Sequence, residues 1–225
     1  MAEDRGERSE TDAQGAAVSV KPYRDLAGKV CHRAKNDFQA ITNLMAMACP
    51  FARTPEELAE AMEGRVGALA VSYSLIHETG AKPTLDRLAA EIVRRCQGRS
   101  VLPPRVQRDL PELALSLRLC SPLSLWLYEI IGNALLHGRP RGGTALVSVG
   151  GRLDEDGLLI WVADNGPGLP PDFDLAKRRR FGLYLAQAVA DTDLHGRLEL
   201  ASAAPGLEVR LWVPAATLQV HNRDA

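Results

Sequence analysis

Between Tyr23 and Ala48, apolar residues stand at Leu26, Val30, Ala34, Phe38, Ile41, Met45 and Ala48. Steps of three and four residues close one stripe along a single long α-helix. After a break at Cys49–Arg53, which contains Pro50, a second stripe runs through Leu58, Met62, Val66, Leu69, Tyr73 and Ile76 to Gly80. Thr54-Pro55-Glu56-Glu57 opens that helix as a capping box with proline at the first helical position. Two long amphipathic helices joined by a short turn make an antiparallel hairpin, and one hairpin alone leaves both stripes poorly covered. Pairing two hairpins into a four-helix bundle covers them, so the pattern predicts a homodimer.

The wet face of the first helix carries an unusual set. At about 100° per residue His32 falls opposite the stripe, with Asn36 one turn on and Lys35 and Gln39 beside it. Asp37 lies at the edge of the apolar stripe. A histidine held outward on a stiff helix can react with a group brought to it.

The chain has 225 residues, 46% hydrophobic and 24% charged, which is ordinary globular composition with enough length for a core. A net charge of -1 gives no reason to expect nucleic acid or an acidic membrane as partner. Cys31, Cys49, Cys96 and Cys120 are far apart and form no CxxC pair, so each reads as a small buried hydrophobe in a reducing compartment. No apolar run approaches the ~20 residues of a membrane helix, and the N-terminus does not read as a signal peptide. The expected location is the cytoplasm.

Residues 1–22 read as a disordered acidic tail, too short for a sensory domain, and 23–80 as the helical hairpin. Residues 81–216 read as a second domain and 217–225 as a frayed end. Within the second domain, Thr84 caps a helix with Leu85, Leu88, Ile92 and Val93 inward. Val106–Leu110 and Leu113–Leu119 alternate as strands around Pro111, and Ser121-Pro122 starts a helix over Leu123–His137. Ala145–Leu153 with Leu158–Ala163, and Arg197–Ala201 with Leu207–Val213, read as two hairpins, and Gly182–Ala190 as a helix between them.

Three groupings carry chemistry. Glu129, Asn133 and His137 stand at i, i+4 and i+8 on an otherwise apolar helix, forming one polar line. A carboxylate and an amide oxygen one turn apart suit magnesium, which keeps its waters and takes few protein ligands. Asp164-Asn165-Gly166-Pro167-Gly168 follows directly on a strand. Its glycines let backbone approach a ligand, and the aspartate can accept a hydrogen bond from an exocyclic amine such as adenine's. Lys177-Arg178-Arg179-Arg180 precedes Gly182 and a helix start, a place suited to phosphate.

Together these stretches resemble a family. LYEIIGNALLHG resembles the asparagine box, VADNGPGLP the first glycine box and FGLYLAQAVA the second glycine box of the GHKL ATPases. With CHRAKNDFQAI upstream, the chain is similar to two-component sensor histidine kinases with an HRxKN acceptor box, the second HisKA-like class and its HWE relatives. The resemblance covers about Ala27 to Pro214. It implies an α+β architecture: a dimerising helical hairpin, then a GHKL (Bergerat-type) α/β sandwich that binds ATP. It makes His32 the phosphoacceptor, Asn133 a magnesium ligand and Glu129 the residue that orients a metal-bound water or polarises the site. Asp164 would bind adenine, with Gly166, Gly168, Gly182, Leu183, His137 and Arg180 lining the nucleotide site. Asn36 matches a position that helps to hydrolyse the phosphorylated receiver, and Asp37, where relatives often carry Asn, stands where it could orient or deprotonate the His32 ring.

Two departures bear on activity. The second glycine box keeps only Gly182 of its usual GxG, and Arg33 takes the place where commoner kinases carry an acid beside the histidine. The implied function is a kinase core, without its own sensor, that uses Mg2+ and ATP to phosphorylate His32 and passes the phosphoryl group to a response-regulator aspartate. A separate sensory protein is a further implied partner. The rival readings are a histidine phosphotransferase with a decayed ATP site, an adaptor that sequesters a regulator, and a serine kinase of the same ATP fold. The last leaves the HRAKN helix unexplained.

Overall fold

The computed structural model describes residues 38–79, 82–97, 104–140, 142–170, 181–202 and 205–223. Two compact units divide the chain, Met1–Asn43 and Leu44–Ala225. Residues 38–48 are helical (α1), as the first apolar stripe predicts. The earlier turns of that predicted helix, with His32, Asn36 and Asp37, lie outside the described residues. Pro50 then begins a single 3-10 turn, Cys49–Phe51, and α2 spans Pro55–Thr79. Its cap forms as expected: the Glu57 amide donates to Thr54 Oγ1 at 3.2 Å, and the Glu57 carboxylate reaches back to the Arg53 amide at 2.7 Å.

Helix α3 is Leu85–Gln97, with Leu85, Leu88, Ile92 and Val93 buried and Thr84 Oγ1 accepting from the Arg87 amide. Strand β1 is Arg105–Asp109. The predicted strand Leu113–Leu119 is not formed. Ala114 makes one isolated bridge with Thr84, and α4 begins at Leu117 and runs to His137. The leucine alternation misleads because Leu119, Leu123 and Leu127, four residues apart, are each wholly buried, which is helical spacing. The helix start expected at Ser121-Pro122 is corrected with it, since Pro122 lies inside α4 and Ser116 is the N-cap. A proline there gives up one backbone hydrogen bond. Burial of Leu119, Cys120, Leu123 and Trp126 on both sides of it keeps the helix continuous.

The sheet follows as β2 Leu146–Leu153, β3 Gly157–Asp164, β4 Arg197–Ser202 and β5 Leu207–Pro214, in the order β1-β2-β3-β5-β4. Only β1 and β2 are parallel, and α4 is the crossover between them. The other pairs are antiparallel. Period-2 patterning sends Val147, Val149, Leu158, Ile160, Val162, Val209, Leu211 and Val213 to one buried face, where α4 packs on β2 and β3. The opposite face carries the Trp161 ring, which lies over Gly150. Helix α5, Phe181–Ala188, leads into a π-helical turn, Val189–Asp193. The end expected to fray is instead helix α6, Ala215–Arg223, with Thr217 and Leu218 buried where it meets α4 and β5. Helix α4 is long and apolar enough to cross a membrane, but 72% of that stretch is buried inside the protein. It is the central core helix.

The buried face of α2 shares only Leu69 with its apolar stripe. Arg65, Ala68, Leu69, Ser72 and Leu75 are buried, while Leu58, Met62, Val66, Tyr73 and Ile76 are half-buried. Small residues decide this. A Cβ on Gly64 would strike the Tyr128 hydroxyl and one on Gly67 the Arg95 guanidinium, so α2 lies close against α4 and α3. The Ser72 hydroxyl donates to Ser124 Oγ at 3.1 Å across that contact.

Candidate functional site

Because β3 ends at Asp164 beside the start of β5, its carboxylate is held by backbone from two segments. Asp164 Oδ1 accepts from the Gly166 amide at 2.9 Å and from the Leu207 amide at 3.2 Å. Glycines make room for it. A Cβ on Gly138, the C-cap of α4, would strike the Asp164 side chain, and one on Gly206 the Asp164 carbonyl. Gly206 also has φ of +111°, so a side chain there is excluded twice. Asn165 is a staple: its Oδ1 accepts from the Leu146 amide at 2.8 Å and its Nδ2 donates to the Thr144 carbonyl at 3.2 Å. Gly166 is buried where its missing Cβ would meet Gly138 and Arg139 backbone.

A cavity of about 360 Å³ opens between α4, this loop, α5 and the near ends of β3 and β5. Asn133, His137, Asp164, Gly168 and Leu183, all singled out from sequence, line it together, and Ile130, Val162 and Val209 supply apolar walls. That is the volume and make-up of a small-molecule site, mainly apolar with a few converging polar groups. Asp164 offers an acceptor at its floor, and Asn133 stands on the α4 side. An aromatic base with an exocyclic amine fits this chemistry. Arg180 lies outside the described residues.

Glu129 and Gly182 belong to a second cavity of about 420 Å³, which shares Asn133 with the first and is lined also by Arg65, Gly132 and Arg139. Here Glu129 has a partner that was not expected. Its carboxylate is buried, 6% exposed, and faces the Arg65 guanidinium of α2. Arg65 Nη2 donates to Oε2 at 2.9 Å, and Nε lies 2.8 Å from Oε1 in a charge contact lacking hydrogen-bond alignment. Both oxygens of Glu129 are thus turned to a cation of the protein itself. The guanidinium also stacks 4.3 Å above the centroid of Phe181, and Phe51 packs on Phe181 and Tyr184 at 5.3 and 5.6 Å. A Cβ on Gly182 would strike Glu129 Oε2. The glycine of the second glycine box is therefore there for close approach of α5 to Glu129.

Arg65 is the site residue that sequence reasoning missed. It is the one Lys or Arg within Pro55–Thr79, but nothing in that stretch names its partner, 64 residues on.

Residues 29–106 match the HWE histidine kinase family, and residues 121–217 match the histidine kinase-, DNA gyrase B- and HSP90-like ATPase family. The blue-light-activated histidine kinase of Rhizobium johnstonii is 26% identical over 200 residues, 89% of this chain and 56% of its own length. The chain thus spans little more than half of that relative. Among solved structures, the Erythrobacter litoralis EL346 blue-light activated histidine kinase superposes with a TM-score of 0.68 at 18% identity, over 82% of this chain and 63% of that one. The histidine kinase domain of the same protein gives 0.60 at 19% identity, over 86% of this chain and 99% of that one. An HWE histidine kinase segment is thus followed in this chain by a histidine kinase-, DNA gyrase B- and HSP90-like ATPase domain.

Proposed function

We propose that the chain is a kinase core that uses ATP to phosphorylate its own His32 and then hands the phosphoryl group to an aspartate of a response-regulator receiver. The observation that carries this reading is the convergence of Asp164 and Asn133 on one cavity of nucleotide size, downstream of a matched HWE segment that contains His32.

In this reading Asp164 accepts the adenine amine while Ile130, Val162 and Val209 sandwich the base. Asn133, facing both cavities, marks where the phosphates leave the first for the second. Asn133 would hold a magnesium ion there, whose charge would offset that of the phosphates. Phosphoryl transfer needs little covalent help from protein, so positioning and charge dominate. His32 supplies the nucleophilic imidazole nitrogen; Asn36 and Asp37, on the same predicted helix, serve its orientation and the later hydrolysis of the receiver phosphate. His137, Gly166, Gly168, Leu183, Gly182 and Arg180 complete the nucleotide contacts. The half-buried stripe of α2 supports pairing of two copies, and the absence of charge bias supports a cytoplasmic protein working with receivers rather than nucleic acid. A monomer mass by light scattering at micromolar concentration defeats the homodimer.

The test is incubation with γ-labelled ATP and magnesium, beside His32→Ala and Asn133→Ala. The expected result is acid-labile, base-stable label on the wild type and none on either variant. Absence of label on the wild type, with transfer from a phosphorylated receiver onto His32, defeats the kinase reading in favour of a phosphotransferase.

A further inference from the structure

Two contacts reach from the HWE segment into the ATPase domain at one place, and neither is needed to hold adenine. Arg65 on α2 grips Glu129 on α4 and stacks on Phe181 at the first residue of α5. Phe51, from the 3-10 turn before α2, packs on Phe181 and Tyr184 of α5. Gly182 then abuts the same Glu129 carboxylate. A buried arginine paired with a buried carboxylate is rigid, because a separated charge in that environment is strongly disfavoured. The planar guanidinium satisfies the carboxylate along its edge while its face covers an aromatic ring, a combination that lysine cannot reproduce.

We propose that Arg65 is a positioning residue for phosphoryl transfer: it lets α2 set the place of Glu129 and of the first turn of α5 at the phosphate end of the nucleotide site. This rests on the kinase reading above. The geometry separates the two ends of that site. Arg65 lines the second cavity with Glu129, Asn133 and Gly182, but not the first, where Asp164 and the apolar walls lie. A shift of α2 is therefore felt where phosphates are aligned and not where the base is bound. Coupling of this kind is reciprocal, so a γ-phosphate, which ADP lacks, also firms the docking of α2.

The experiment compares wild type, Arg65→Lys, Arg65→Met and Glu129→Gln by three readouts: ADP affinity by calorimetry, amide exchange over Phe181–Ala188, and the initial rate of His32 labelling from ATP. Arg65→Met is expected to bind ADP within about twofold of wild type, while exchange at the start of α5 rises and labelling falls by about tenfold each. Arg65→Lys restores part of both, and Glu129→Gln in an Arg65→Met background adds no further loss, because the two act as one unit. Unchanged exchange and labelling in a folded Arg65→Met protein overturns the proposal, as does a loss of ADP affinity equal to the loss of labelling. Where Arg65→Met fails to fold, Arg65→Lys carries the same test, and wild-type exchange and rate in it overturn the proposal. A wild type that never labels His32 defeats the kinase reading instead, and the exchange arm then decides Arg65 alone.

Discussion

Asp164 is the residue to which the kinase reading gives nucleotide recognition, and its surroundings make its replacement informative. Asp164→Asn keeps the size and can keep the two backbone amides on its oxygen, but it loses the charge that strengthens the hydrogen bond to an amine. ADP affinity is expected to fall by about tenfold with little change in melting temperature, a split that calorimetry and thermal unfolding resolve. Gly138→Ala acts on the same carboxylate from behind. Its Cβ would strike the Asp164 side chain, so it should cost about 1–3 kcal/mol of stability and weaken ADP binding as well. Cys120 offers a check on the core. Burial pushes its thiol up from the ordinary 9.0 to about 11, an effect that hydrogen bonding with Ser72 partly offsets. The folded chain holds that proton more tightly than the unfolded one, so the contribution is complete below pH 9 and disappears as pH climbs towards 11. Urea unfolding at pH 8 and 10.5 should show about 2 kcal/mol lost from this source, and Cys120→Ala should remove that part of the slope. Asp164, Asn133 and Gly168 were readable in the sequence because a turn and a helix place them with local geometry alone. Arg65 was not, because its partner stands 64 residues away and only packing chooses which face of α2 meets α4.

At the scale of the element, α2 and α4 are governed by different rules. The stripe of α2 reads correctly as helix, while the face turned to α3 and α4 is set by small residues, Gly64, Gly67 and Ala68, which permit close approach. Gly64→Val, which forces a branched side chain onto Tyr128, is expected to lift α2 from α4 and expose it to protease while the sheet stays folded. Cleavage within Pro55–Thr79 at wild-type rate would contradict this. Helix α4 was foreseen six residues too short because proline was taken as a start. Helix α6 was missed because its few apolar residues make a weak stripe, though Leu218 fills a gap beside α4 and β5. Leu218→Ala should therefore lower stability by about 2–3 kcal/mol, read as a drop in the urea midpoint. Both hairpins of strands were readable throughout, because alternation and turn residues are local signals.

Across the whole molecule, the sheet is assembled from two local hairpins, β2–β3 and β4–β5, that meet only where β3 pairs with β5. The hydrogen bond from Leu207 to Asp164, which joins residues 43 apart, sits at that seam. Local pairs close quickly and distant ones late, so the join of the two hairpins belongs to the slow part of folding. The wall of the nucleotide cavity drawn from both β3 and β5 is thus completed at the end, not at the start. A ligand that spans the seam can bind only after the join is made. Adding ADP should accordingly leave the refolding rate unchanged and slow the unfolding rate in proportion to occupancy, so that the nucleotide acts as a clasp on the finished protein.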